Sequence, residues 1–452
     1  MRFKATWIVV AVFAALLAYL YFVENPKERA KQEAKEKEGL LFPGFDTAKV
    51  TEISLEGTRG KVRAKKGDDG VWVVAEPWDD RADAGRINNL LSDLKALKTF
   101  KEVASSDADL KAFGLETPEV TVKTAGSDAV LQVGSDNPAG DARYVRGSGG
   151  PVQVAKAPGL TSFLTEPSDL RNKDLLAELP WGRVVSIETR GPQQETIRLA
   201  KSGDAWTIEA PIQAEADPEA AQRLADKLRY ARIQAFLKED EQKAEEKLAQ
   251  GVSVTLAAQG GEAPVTVRLA EVDGAVWADR TGRKALFTLS KDVLDGFRVA
   301  ADDLRRKKPI LAKPWKLDRV EVTLPGAKLA YEKAGGAWRR GGNALSDSES
   351  RALQDFLRDL ETGKADRVID KPGPDSEYGL DKPGIAVTIT DTEGKEQGMV
   401  ASRKGEEAFA RSTGPGPVYG MPSGYLKGAE ALLKGDEPAK PESEAPPKKP
   451  GE

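Results

Sequence analysis

The chain has 452 residues, a net charge of −4, and neither cysteine nor histidine. Its length allows about three domains, and its charge balance supplies no basic field for nucleic acid. The missing residue types exclude disulfides, thiol nucleophiles, serine–histidine triads and histidine-bearing metal sites, which leaves any catalysis to Asp, Glu, Lys, Tyr or Ser.

From Ala5 to Val23 no residue is charged. As a helix that stretch reaches roughly 28 Å, close to the thickness of a bilayer core. Trp7, Tyr19 and Tyr21 stand near its ends, where aromatic rings favour the membrane interface. Large residues follow it, so no small-x-small cleavage site is present and an uncleaved signal anchor is expected. Arg2 and Lys4 favour an N-terminus kept inside, while Lys27, Arg29, Lys31, Lys35 and Lys37 oppose it. A tail this short is normally retained while the long part crosses. The expectation is a single-pass inner-membrane protein, N-in and C-out, with the bulk of the chain periplasmic. The stretch from Pro26 to Gly39 alternates Lys and Glu without an apolar seam and reads as a solvated stalk.

Beyond the stalk one phrase recurs. Trp72, Trp206 and Trp338 lie 134 and 132 residues apart. Before each stands an alternating apolar–polar segment, VTEISLE from Val50, VVSIETR from Val184 and VEVTLP from Val320. Such alternation marks a half-buried strand. KVRAKK, TIRLAK and KLAYEK follow, then a glycine-bearing turn, and the tryptophan opens the next strand, which together predict a hairpin or meander. A helix comes next in each copy. Leu90, Leu91 and Leu94 match Leu224, Ala225 and Leu228, and then Phe356, Leu357 and Leu360, one apolar stripe per helix. Asp217 before Pro218, and Ser346 with Glu349, are helix-start signals.

GLETPEVTV from Gly114 recurs as GLDKPGIAVTI from Gly379, while the middle copy keeps only the strand, in AQGVSVTL. An aromatic residue closely followed by arginine recurs as Tyr144/Arg146, Trp277/Arg280 and Phe409/Arg411. The first two copies close with DLRNK from Asp169 and DLRRK from Asp303, each after a short helix expected to hold Phe163 or Phe297. The fold class expected is α+β: an N-terminal transmembrane helix, then three tandem modules, each an antiparallel sheet with a packed amphipathic helix. The divisions are a cytoplasmic tail at 1–6, the anchor at 7–23, the stalk at 24–41, modules at 42–180, 181–313 and 314–435, and a disordered Pro- and charge-rich tail at 436–452.

This set of features resembles the bacterial domain-of-unknown-function family 4340. The matching stretches are the anchor, LFPGFDTAKVTEISLE, the W-x-V-x-x-P segment, INNLLSDLKAL, AFGLETP, VGSDNPAGDARYVR and SDLRNK, best between Leu41 and Leu176. The resemblance implies a neighbourhood of auxiliary parts of gliding-motility-type ABC transport systems. It carries over no catalytic residue.

No GxxxxGK[ST] phosphate loop and no GxSxG elbow occur. Ser92 and Lys95 have S-x-x-K spacing, but on the polar face of the first helix. Asp136, Asn137 and Asp141 suit a hairpin turn better than a calcium loop. Asp79–Asp80 and Asp302–Asp303 sit at loop or helix starts, where helix capping explains them without acid–base catalysis. No catalytic, cofactor or metal site is expected. The three aromatic–arginine pairs are either cross-strand packing or a repeated partner surface, and the DLRNK and DLRRK segments are expected to be inter-domain salt-bridge linkers. The leading expectation is a non-catalytic, membrane-anchored extracytoplasmic accessory or scaffold protein with protein partners such as ABC transporter subunits, and no nucleic acid. The alternatives are a cell-wall or carbohydrate-binding protein using aromatic platforms and, behind it, a carboxylate-based enzyme.

Overall fold

The computed structural model describes residues 37–105, 109–192, 194–238, 241–261, 263–425 and 427–434. The expected anchor, the short tail before it, most of the stalk and the C-terminal tail lie outside these residues. Among the described residues no helix is long and apolar enough to cross a membrane.

The first module is built from β1 (Glu52–Gly57), β2 (Gly60–Lys66), β3 (Trp72–Glu76), β4 (Asp80–Arg81), helix α1 (Ala84–Ala96), β5 (Thr99–Ala104), β6 (Val120–Ala125), β7 (Ala129–Asp136), β8 (Ala142–Gly147) and β9 (Val152–Lys156). Its nine strands lie in the order β4-β3-β2-β1-β6-β7-β8-β9-β5. The path explains the order. Strands β1 to β4 step outward as a meander, and α1 carries the chain to the far edge, where β5 is laid. Strand β6 then returns to pair with β1, and β6 to β9 step outward until β9 meets β5. All of these pairs are antiparallel.

The second and third modules repeat this order strand for strand. The second has β10 (Val184–Gly191), β11 (Gln194–Ser202), β12 (Ala205–Ala210), β13 (Ala214–Glu215), α2 (Pro218–Arg229), β14 (Ala235–Phe236), α3 (Glu241–Leu248), β15 (Val252–Ala258), β16 (Val265–Val272), β17 (Ala275–Arg280) and β18 (Arg283–Leu289), then the short helices α4 (Lys291–Asp295) and α5 (Ala301–Leu304). The third has β19 (Leu317–Leu324), β20 (Ala327–Ala334), β21 (Ala337–Arg340), β22 (Asn343–Ala344), α6 (Asp347–Thr362), β23 (Arg367–Ile369), β24 (Ile385–Asp391), β25 (Glu396–Lys404), β26 (Glu407–Ser412), β27 (Val418–Met421) and α7 (Lys427–Lys434). The fold is therefore α+β with three modules.

Alternation fixes which face of each sheet is inside. In β1 the buried residues are Ile53 and Leu55, which stand opposite Ala64 and Val62 of β2, also buried. Onto that face α1 lays Ile87, Leu90, Leu91 and Leu94, and the two sets form one cluster with Trp72 and Val74. In the third module α6 does the same with Leu353, Phe356, Leu357 and Leu360 against Val320, Val322 and Tyr331. Leu224, Ala225 and Leu228 of α2 are likewise buried. Each fully buried leucine contributes about 1.5–3 kcal/mol by leaving water. The helix starts are capped: Asp83 accepts the Arg86 N–H at 2.9 Å, Asp217 the Ala220 N–H at 2.9 Å, and Ser346 exchanges bonds with Glu349.

The glycine–leucine motif of modules one and three also has a local cause. Gly114 and Gly379 end short 3-10 turns at φ +66° and +69°. A Cβ at Gly114 would lie 2.8 Å from the Ser135 nitrogen, so a side chain is excluded twice over. In module two helix α3 takes the place of that turn. Phe297, expected within a short helix, lies just beyond α4, while Phe163 closes the 3-10 helix Ala157–Phe163.

The chain forms two compact units. Of the described residues, one unit comprises those up to Pro180 together with those within 227–253 and 265–295; the other comprises those within 181–226, 254–264 and from Gly296 onward. The second sheet contributes strands to both.

Candidate functional site

The three aromatic–arginine pairs fall on β8, β17 and β26, the same strand of each sheet. The aromatic members lie on the sheet face away from the helix-covered core, to which the neighbouring Val145, Ala408 and Ala410 belong. Tyr144 meets Phe113 edge-on at 5.0 Å, and Phe409 meets Tyr378 edge-on at 5.2 Å, so each rests on the aromatic residue just before the Gly–Leu turn. Trp277 joins Leu248 and Leu237 in a small cluster. Trp277 and Phe409 are buried. The arginines have separate uses. Arg146 donates to the carbonyls of Gly150 and Gly149 at 2.9 and 3.0 Å, holding the β8–β9 turn. Arg411 grips both oxygens of Asp375. Arg280 reaches Glu178, at the end of the first module, at 2.6 Å.

The DLRNK and DLRRK segments do join modules. Arg171 bridges to Ala82, and the Leu170 and Arg81 carbonyls accept N–H groups from Asp83 and Asn172, both at 2.8 Å. The second segment repeats this: Arg305 bridges to Ala216, and the Leu304 and Glu215 carbonyls accept from Asp217 and Arg306 at 2.8 Å. Each segment thus extends its own module's outer edge beside β4 or β13. Its lysine carbonyl then accepts from the next module, Lys173 from Ile233 and Lys307 from Ala365, at 2.8 Å each. Those donors stand just before β14 and β23.

At the first of these junctions Asp80 is 6% exposed and holds two arginines on one oxygen, Oδ2: Arg171 from module one at 2.7 Å and Arg283 from module two at 2.8 Å. Arg283 also donates to the Asn172 carbonyl at 2.7 Å. The Arg171 guanidinium sits 3.6 Å from the ring centre of Phe236 and 4.8 Å from that of Trp78. Burial pushes the Arg171 guanidinium below its usual range; Arg283 adds to that, and Asp80 opposes it. Among the described residues Nη2 of Arg171 has no hydrogen-bond partner, and the Phe236 ring stands in for one.

The second junction keeps the arginine and moves the acid. Ala214 stands where Asp80 would be, 134 residues on. Arg305 instead bonds Asp370 of the third module, and Arg306 bonds Glu215 at 2.6 Å. A cavity of about 330 Å³ opens here, lined by Glu215, Arg305, Arg306, Asp370, Tyr419 and Pro417, among others. Burial pushes the Tyr419 phenol up. The charges lining the cavity are paired across it, Arg305 with Asp370 and Arg306 with Glu215.

The segment that carries the first junction's Trp78, Asp80 and Arg171 also carries a family match. Residues 72–251 match the model of DUF4340, a domain of unknown function. The match starts at Trp72 and continues into the second module, past the Leu41–Leu176 stretch where the resemblance reads best. No curated protein matches. Among solved structures, a DNA polymerase sliding clamp from Pseudomonas aeruginosa with ligand is similar at 9% identity over 86% of this chain and 97% of that chain, with a TM-score of 0.16. The DNA polymerase III subunit beta of the same organism gives 11% identity, 86% and 95% coverage and a TM-score of 0.17. Likeness at that level bears on neither fold nor function.

Other sequence candidates resolve locally. Ser92 and Lys95 are exposed on α1. Asn137 bonds Asp141 at 2.9 Å and accepts the Ala142 N–H, closing the β7–β8 turn, while Asp136 pairs with Arg143 at 2.7 Å. Among the described residues no acidic group is arranged to hold a metal ion. Trp72 and Trp206 are buried. Asp80 needs correction: it is not a helix-start residue but a buried ion-pair centre in β4, and the cap of α1 is Asp83. The repeat spacing marks Arg171 and Arg305 but not Asp80, because no other module keeps that acid.

Proposed function

We propose that the chain is a non-catalytic accessory or scaffold protein of the cell envelope, anchored in the inner membrane by one N-terminal helix, N-in and C-out, with its three modules periplasmic. The observation that carries this reading is the repeated connector, in which a buried arginine at the end of one module is clasped by the next. Charged groups committed to one another across a connector suit alignment of neighbouring modules better than acid–base work. The family resemblance directs the search for partners to gliding-type ABC transport subunits.

The test has two parts. A reporter fused after the third module reads its compartment, and crosslinked co-purification of the full chain from native membranes reads its partners. Transporter or envelope-assembly subunits, with an extracytoplasmic reporter, support the reading; a cytoplasmic reporter ends it. Trp315, 63% exposed, favours the cell-wall or carbohydrate alternative. Glycan-dependent quenching that disappears in Trp315→Ala would move that alternative to the front.

A further inference from the structure

The connector slot exists in all three modules, but what lies beyond it differs. In module two the Lys173 carbonyl accepts from Ile233 and the Leu175 N–H reaches Ala231. In module one the Gly39 carbonyl accepts from Thr99 at 2.8 Å, and the Leu41 N–H reaches Leu97 at 2.9 Å. These residues stand 134 positions earlier in each case. The stretch before module one therefore occupies the slot that a preceding module's connector occupies elsewhere. The isolated bridges agree, with Leu40 on Lys98 matching Asp174 on Arg232.

Past this slot, modules two and three have their edges covered by the preceding module. Phe236 of β14 lies under Arg171, and Asp370, next to β23, is held by Arg305. The matching edge of module one is β5. It runs for six residues against two in β14 and three in β23. Phe100 is 59% exposed and Val103 36% exposed, with Lys101 and Glu102 exposed between them. An edge strand of this length with apolar side chains in water is a template for another chain unless something covers it.

We propose that the outer edge of β5, centred on Phe100, Glu102 and Val103, docks an extended, arginine-bearing segment of a separate envelope protein. This deepens the accessory-protein reading and rests on it. The occupant's chemistry follows from the two covered edges, where an arginine meets an aromatic ring in one and a carboxylate in the other. β5 offers both, in Phe100 and Glu102. A second copy of this chain is a poor occupant, because Arg171 and Arg305 are committed to its own junctions. The main-chain edge supplies pairing and the arginine supplies selectivity, as in strand addition to a sheet.

The experiment places the photoreactive analogue p-benzoylphenylalanine at Phe100 of the full chain and irradiates native membranes. The same analogue at Tyr230, which is 69% exposed on module two, is the control. The expected result is one major adduct at position 100, absent at 230, whose crosslinked peptide is extended and contains arginine. Glu102→Arg should lower its yield about tenfold or more, and exchanging the captured arginine for glutamate should restore it. An adduct to residues 1–36 of the same chain, to a second copy or to lipid overturns the proposal. So does an adduct insensitive to Glu102→Arg. If position 100 captures nothing while the intact chain still co-purifies with partners, the docking site falls and the accessory reading stands. If nothing co-purifies either, both fall.

Discussion

Replacing Asp80 with alanine removes the carboxylate that Arg171 and Arg283 share. Were the pair exposed, the loss would be about 0–1 kcal/mol. Both guanidiniums would instead stay buried without a counter-ion, which costs about 3–5 kcal/mol. The Phe236 ring returns roughly 1 kcal/mol to Arg171, so a net loss of about 2–4 kcal/mol in docking is expected. At about 1.4 kcal/mol per decade, the junction should open roughly 30- to 700-fold more often. Hydrogen exchange of the full chain in detergent reads this directly at the amides of Ile233 and Leu175, whose bonds to Lys173 and Ala231 cross the junction. Glu219→Ala, which breaks an exposed pair with Arg223, should leave both amides unchanged. Combining Asp80→Ala with Arg171→Met and Arg283→Met should recover most of the protection, since the stranded charges are gone. Unchanged exchange in Asp80→Ala, or no recovery in the triple variant, would refute the reasoning.

Leu94→Ala should cost about 2–5 kcal/mol through the cavity left between α1 and its sheet, read as a lower urea midpoint for the tryptophan signal to which Trp72 contributes. Gly57→Ala should be destabilising by about 1–3 kcal/mol, because its new Cβ would lie 1.9 Å from the Glu119 carbonyl oxygen; thermal melting of the variant checks this. Burial raises the phenols of Tyr419 and Tyr425, the latter further pressed by Asp359, so the folded state keeps their protons longer than the unfolded state does. Their stabilising contribution is intact below about pH 10 and lost as pH rises beyond it. Phenolate absorbance, compared with Tyr419→Phe and Tyr425→Phe, should place both late in the titration and coincident with unfolding of the third module.

The elements that recur were legible because a repeated core demands a repeated stripe. Leu90, Leu224 and Phe356 announce three helices, and the strands around Trp72, Trp206 and Trp338 announce three meanders. The connector was legible as DLR, because its main-chain bonds are the same at both junctions. What resisted reading were features that single modules own. Asp80 and Asp370 solve the same electrostatic problem from opposite sides, so no spacing rule finds both. The union of β5 with β9 joins the ends of two meanders and depends on where α1 delivers the chain, which no local pattern encodes. Helix α7 stands where the other copies have the 3-10 helix Ala157–Phe163 and α4, but Ala429 replaces the phenylalanine that marks that position, so the repeat does not betray it.

That helix shows how one position of the repeat can be rebuilt. After β27, α7 lies at the repeat position of the 3-10 helix Ala157–Phe163 and of α4, and it buries Ala429 and Leu432 among Phe356 and Leu360 of α6. Where the first two copies place Phe163 and Phe297, the third places Ala429 on a longer helix, so one position of the repeat is filled by different means. The junctions differ in the same manner: a tandem copy of the middle module would set Arg305 against Arg283 with neither Asp80 nor Asp370 present, so the new junction would need an acid of its own.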